Sequence, residues 1–222
     1  MQPMTKAAKR RTGPGRPEGQ SGLREEILKA ALRVFADLGY SGSSLRQVAE
    51  AAGVTTALIN YYFGSKRQLY EEVYMGKALG ISQARLDKLR ELEQAGKATD
   101  AEALVRAFLD PLIEMRRSRE GATFLRMQWG LHTESKELSN ALRGKAYDAS
   151  THAYAAALQK ALPHLSKAAV YSRLLLIVGA TVFLFSGTHR LDELVPGMDA
   201  ESETDVIVNE LVSVLTRGIA TA

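Results

Sequence analysis

The chain has 222 residues, 45% of them hydrophobic, with six prolines and no cysteine. This is ample apolar material for one large domain or two unequal ones, while the missing thiols exclude disulfides, thiolate metal sites and cysteine nucleophiles. The net charge of +4 is unevenly placed: residues 1–66 hold ten Lys/Arg against five Asp/Glu, and the remainder 19 against 20, so attraction to phosphates is concentrated at the N-terminal end.

Few prolines and no alternating β-branched run predict an all-α fold. Residues 1–20, including KRRTGPGRP, carry too little apolar content to fold alone and read as a basic arm or a solubilising tail. No apolar stretch follows that basic opening, so no secretory signal is expected. Ser21 is placed to cap a first helix whose apolar stripe is Ile27, Ala31, Val34, Phe35 and Leu38, ending at Gly39.

Ser44 and Gln47 have capping-box spacing and open a short second helix with Leu45, Val48, Ala49 and Ala52 on its apolar side. Gly53 makes a turn, Thr55 or Thr56 caps a third short helix, and Ser65 with Gln68 repeats the capping spacing. Two short helices joined by a glycine turn are the pattern of a helix-turn-helix. With Ile59 at the centre of the third helix's buried face and Phe63 beside it, Thr56, Ala57, Asn60 and Tyr61 fall on the outer side. Hydroxyl, carboxamide and phenol groups there would hydrogen-bond bases and phosphates, and Lys66 at the next helix start would hold a phosphate.

Here the sequence resembles the TetR-type transcriptional repressors. The resemblance covers about Leu23 to Tyr74 and rests on ILKAALRVFADLGYSGSSLRQVAEAAGVTTALINYYFGSKRQLY. This is similar to the family's first helix, its T-x-x-x-I-A-x-x-A-G-V segment and its L-Y-x-H-F-x-S-K ending. Ser44 stands where the family has Thr, Val48-Ala49 where it has Ile-Ala, Asn60 for the usual Tyr and Tyr62 for the usual His. The resemblance puts Ser44, Arg46, Thr55, Thr56, Ala57, Asn60, Tyr61, Tyr62 and Lys66 in the DNA-contacting set. The form ALINYYFGSK looks like a branch that includes fatty-acid-responsive regulators.

A fourth helix is predicted to about Leu92, a loop over 94–99, and helices over 100–117 (with a kink at Pro111), 120–132, 134–162, 166–191 and 203–216. The run Leu174–Phe185 is twelve residues, short of the ~20 a membrane span needs, and reads as a buried core or interface helix. The expected domains are an arm (1–20), a DNA-binding unit (21–66) and a helical regulatory and dimerisation domain (67–222). The family resemblance implies a ligand cavity in the last of these. Phe108, Leu112, Met115, Phe124, Met127 and Trp129 are apolar enough to line it, with Arg117, Arg119, His132 and Tyr154 as further polar or aromatic candidates. It also implies a homodimer through the last two long helices.

The four histidines show no metal-ligand spacing, so no metal or other cofactor is expected. P-loop, dinucleotide-binding and nucleophile-elbow motifs are missing from the sequence. The expected function is therefore a cytoplasmic, ligand-responsive repressor that binds a pseudo-palindromic double-stranded operator and is released by a small apolar or amphipathic effector, an acyl-chain compound for example. A constitutive architectural DNA binder and an enzyme are the alternatives.

Overall fold

The computed structural model describes residues 18–185, 194–195, 197 and 200–220, so the basic arm before residue 18 lies outside it. Nine α-helices follow one another among the described residues: α1 Glu18–Leu38, α2 Leu45–Ala52, α3 Thr56–Phe63, α4 Lys66–Gln94, α5 Ala101–Arg116, α6 Arg119–Gly130, α7 Lys136–Ala161, α8 Lys167–Phe185 and α9 Ala200–Ala220. A 3-10 turn, Leu131–Thr133, joins α6 to α7. No strand occurs among the described residues.

Local signals set most boundaries. Ser44, Thr55 and Ser65 each accept a hydrogen bond from the backbone N–H three residues on, satisfying a donor that the first turn leaves free. Gly53 closes α2 at φ +66, a left-handed conformation that a side chain would strain. Asp100 and Ser118 cap α5 and α6 in the same manner, and the Ser166 hydroxyl accepts from Ala169 N at 3.2 Å. At α1 the outcome differs: the helix starts at Glu18, so Ser21 lies inside it rather than at its cap. α5 runs through Pro111 without a break, and Lys136–Ala161 form one long helix.

Two apolar clusters organise the packing. The first unites Ile27, Phe35, Val48, Ile59 and Phe63 with Tyr70 and Tyr74 of α4, Phe124 and Met127 of α6, and Leu142 of α7. The second gathers Leu89 of α4 with Leu104 and Phe108 of α5, Tyr154 and Leu158 of α7, Leu174 and Ile177 of α8, and Leu211 of α9. The helix-turn-helix thus shares its core with α4, α6 and α7, across residue 66. α4 belongs to both clusters; its 29 residues span about 44 Å at 1.5 Å per residue.

α8 is only partly covered. Because Lys167–Tyr171 extend the apolar run, the 18-residue window Lys167–Leu184 reaches a mean hydropathy of 1.6, long and apolar enough by composition to cross a membrane, yet only 22% of it is buried. Leu175 and Leu176 are about two-thirds exposed, and Val214 of α9 likewise.

Candidate nucleic-acid interface and cavity

Glycines at positive φ bracket the third helix, Gly53 before it and Gly64 after it. Ile59 and Phe63 are buried (1% and 6% exposed), so the rotation of α3 is set by the core, and Tyr61 on the far side is 79% exposed. Ala57 and Asn60 are exposed beside it, while Thr56 and Tyr62 are half-buried. The Tyr62 ring lies edge-on to Tyr61, with centroids 5.3 Å apart, and 6.2 Å from Phe63. The outer face is therefore Thr56, Ala57, Asn60 and Tyr61, with Tyr62 at its margin.

The remaining members of the DNA-contacting set have local work inside the fold. Ser44 and Thr55 are the caps, their hydroxyls accepting from Gln47 N and Leu58 N at 3.3 and 3.2 Å. Arg46 is exposed and pairs with Glu50 at 2.9 Å, a solvent-screened surface pair that a phosphate would readily displace. Lys66 turns inward. Its ammonium donates to the carbonyls of Tyr40 (2.7 Å) and Ser43 (2.8 Å) and lies 4.4 Å from the centre of the Tyr40 ring. Two of its three N–H groups hold the α1–α2 loop, which leaves one for an external acceptor.

Two contacts fasten that loop region to the regulatory half. Glu134, just after the 3-10 turn, accepts from Ser41 N at 3.0 Å and from the Ser41 hydroxyl at 2.5 Å. Arg126 of α6 pairs with Asp37 of α1 at 3.5 Å. These contacts tie α6 and the turn after it to α1 and the α1–α2 loop.

A cavity of about 470 Å³ opens among α4, α5, α6, α7 and α8, within the ~300–1,000 Å³ range of small-ligand sites. Leu112, Leu174, Leu175, Val178 and Val182 provide its apolar wall; Tyr74, Arg85, Gln128, His132, Asn140, Arg143, Tyr147, Asp148 and Thr151 its polar one. Of the six apolar residues expected to line a cavity, only Leu112 does. Phe108, Phe124 and Met127 are packed solid, at 0–1% exposure, and Met115 packs against the first cluster. Trp129, 40% exposed, borders a separate surface groove with Ala36, Gly39 and Glu134. The helical stripes of α5 and α6 face neighbouring helices, and the void is walled mainly by residues of α7 and α8. Tyr154 is core, its hydroxyl donating to the Arg85 carbonyl at 3.0 Å. His132 does reach the cavity.

Sequence reasoning missed Arg85, the most unusual of the lining residues. Its side chain is buried, 4% exposed; Nε donates to the Phe108 carbonyl at 2.9 Å, and the guanidinium lies 3.7 Å from the Phe108 ring centre. No Asp or Glu pairs with it among the described residues. Burial lowers its pKa to about 10, so it stays charged at neutral pH. Burial, helped by the Arg143 charge, lowers the His132 pKa and keeps that imidazole neutral. Burial raises the phenols of Tyr74 and Tyr147, which remain donors. The signal was present in the sequence: Ile81, Arg85 and Leu89 follow one another at i, i+4 spacing, a cation inside an apolar stripe.

No group of His, Asp or Glu among the described residues is arranged to hold a metal ion. The described residues thus combine an exposed polar helix with a helical body that holds a cavity. Residues 27–73 match the family "Bacterial regulatory proteins, tetR family", and residues 106–218 match "Tetracyclin repressor-like, C-terminal domain". The chain belongs to the TetR family of bacterial regulatory proteins.

Among its relatives, the HTH-type transcriptional regulator RutR of Escherichia coli is 41% identical over 88 residues, 40% of this chain and 41% of RutR. The HTH-type transcriptional repressor NicS of Pseudomonas putida is 33% identical over 144 residues, 62% of this chain and 63% of NicS. The chain thus spans less than two-thirds of the length of these curated relatives. The fold matches the crystal structure of HlyIIR, a hemolysin II transcriptional regulator, at a TM-score of 0.61 and 20% identity, covering 91% of this chain and 99% of that one. It also matches the fatty acid degradation regulator FadR from Bacillus halodurans, at 0.59 and 19%, covering 93% and 97%.

Proposed function

We propose that the protein is a one-component transcriptional repressor acting in the cytoplasm. It binds a pseudo-palindromic operator as a homodimer and is released when a small amphipathic molecule occupies the cavity. The observation that carries this reading is α4, which begins at Lys66, beside the reading helix, and contributes Tyr74 and Arg85 to the cavity wall. A molecule that changes how α4 sits between its two clusters changes the placement of α3. The Ser41–Glu134 and Asp37–Arg126 contacts supply a second connection through α6.

Base readout is assigned to Thr56, Asn60 and Tyr61, with Ala57 permitting close approach and Arg46, Tyr62 and Lys66 at the phosphates. The exposed Leu175 and Leu176 of α8 and Val206 and Val214 of α9 support a two-fold contact with a second copy, which would bury them. The ligand acts only through its differential affinity for the two forms; a swing from 1:99 to 99:1 takes about 5.5 kcal/mol.

Selection of bound duplexes from a random DNA pool tests the reading. A two-fold symmetric sequence with half-sites about one helical turn apart is the expected product. A pool that remains unenriched after repeated rounds would overturn sequence-specific regulation.

A further inference from the structure

Arg85 is a buried cation for which the protein supplies no counter-charge. Its Nε bond to the Phe108 carbonyl uses one of five N–H donors, and a neutral donor would make that bond without burying a charge. The two terminal nitrogens have no acceptor among the described residues, and the side chain borders the cavity. A buried ion without a counter-charge is destabilising, and the face of the Phe108 ring offsets only part of that. A planar fork of donors bordering the cavity matches the two oxygens of a carboxylate.

Taking the cavity as the effector site, we propose that the effector is an amphipathic organic monoanion. Its carboxylate seats on Arg85, and its apolar body lies against Leu112, Leu174 and Val178. The lining charges set the valence. Arg143, the second guanidinium, bonds to Ser139, Asn140 and the His132 ring, with no carboxylate partner among the described residues. Asp148 is exposed and marks the solvent side. Two guanidinium charges against one carboxylate leave one positive charge to neutralise, as a monoanion does and a dianion overshoots.

The test uses the full chain and matched probes: the straight-chain carboxylates from hexanoate to dodecanoate and 4-phenylbutyrate, each with its primary amide, together with octyl phosphate. Binding is read by thermal shift and calorimetry, and operator release is read separately. At least one carboxylate is expected to bind while its amide does not, and octyl phosphate to bind no tighter than octanoate. Arg85→Met should weaken the carboxylate about 10- to 100-fold, the loss of a charged hydrogen bond, and Arg85→Lys should recover part of it. Arg85→Gln, a neutral donor that can still reach the Phe108 carbonyl, should weaken it to a similar extent even if Arg85→Met folds poorly.

Amides that bind as well as their acids, an unaltered affinity in Arg85→Met or Arg85→Gln, tighter octyl phosphate, or no binding by any carboxylate would each overturn the anionic assignment. Release of the operator by a neutral probe would overturn it while leaving the regulator reading intact. A carboxylate held by Arg85 without any change in operator affinity would sustain the anion site and remove its role as effector site.

Discussion

The ammonium of Lys66 lies within 2.8 Å of two carbonyls at the end of the α1–α2 loop, which gives one lysine a structural as well as an electrostatic task. Lys66→Met keeps the aliphatic stem and removes both bonds. It should lower stability by about 1–3 kcal/mol, the usual cost of orphaning buried acceptors bonded to a charged donor, and an unchanged urea midpoint would refute the clamp. Asn60 contrasts with it: it is exposed, and its carboxamide is free to pair with an adenine edge. Asn60→Ala should cost about 1–3 kcal/mol on the selected operator and little on random DNA. Equal losses on both would remove Asn60 from base readout. The sequence offers both residues as members of the interface. The inward turn of Lys66 is not legible there, because helical spacing places a side chain on a face but does not say which backbone carbonyls a neighbouring loop brings to it.

At the level of elements, the helix-turn-helix was readable because its signals are local. Capping serines and threonines and a positive-φ glycine act within three or four residues of themselves, so sequence order is enough. The cavity was not readable for the opposite reason. Apolar periodicity in α5 and α6 marks Phe108, Phe124 and Met127 as inward-facing, and they are. Whether an inward residue meets another side chain or a void depends on how α7 and α8 are placed, which no single stripe encodes. The α5–α6 corner is the tightest joint in this region. A methyl group at Gly121 would collide with the Met115 backbone carbonyl, which cannot move without breaking the turn. Gly121→Ala should therefore destabilise by an amount at the upper end of the ~1–3 kcal/mol expected for overpacking. A denaturation midpoint equal to that of the parent chain would show that the corner yields more easily than its geometry implies.

For the whole molecule, the charge and apolar patterns point in one direction. The N-terminal end carries the surplus positive charge, and the C-terminal helices α8 and α9 carry exposed leucine and valine. Val182 lies in the apolar run of α8 but borders the cavity. Leu176, two-thirds exposed and away from the cavity, is the cleaner probe. Leu176→Glu should convert a dimer to monomers in sedimentation, and a dimer surviving that charge would move the interface elsewhere. Dimerisation matters because one eight-residue reading helix without Lys or Arg reaches few bases. Two of them about 34 Å apart read successive major grooves of a palindrome. The most direct measurement is the affinity for the selected operator before and after five base pairs are inserted between its half-sites. The insertion rotates one half-site by half a turn. The account predicts a fall to the level of non-specific DNA, about 10³-fold or more, and an affinity that survives the insertion would contradict it.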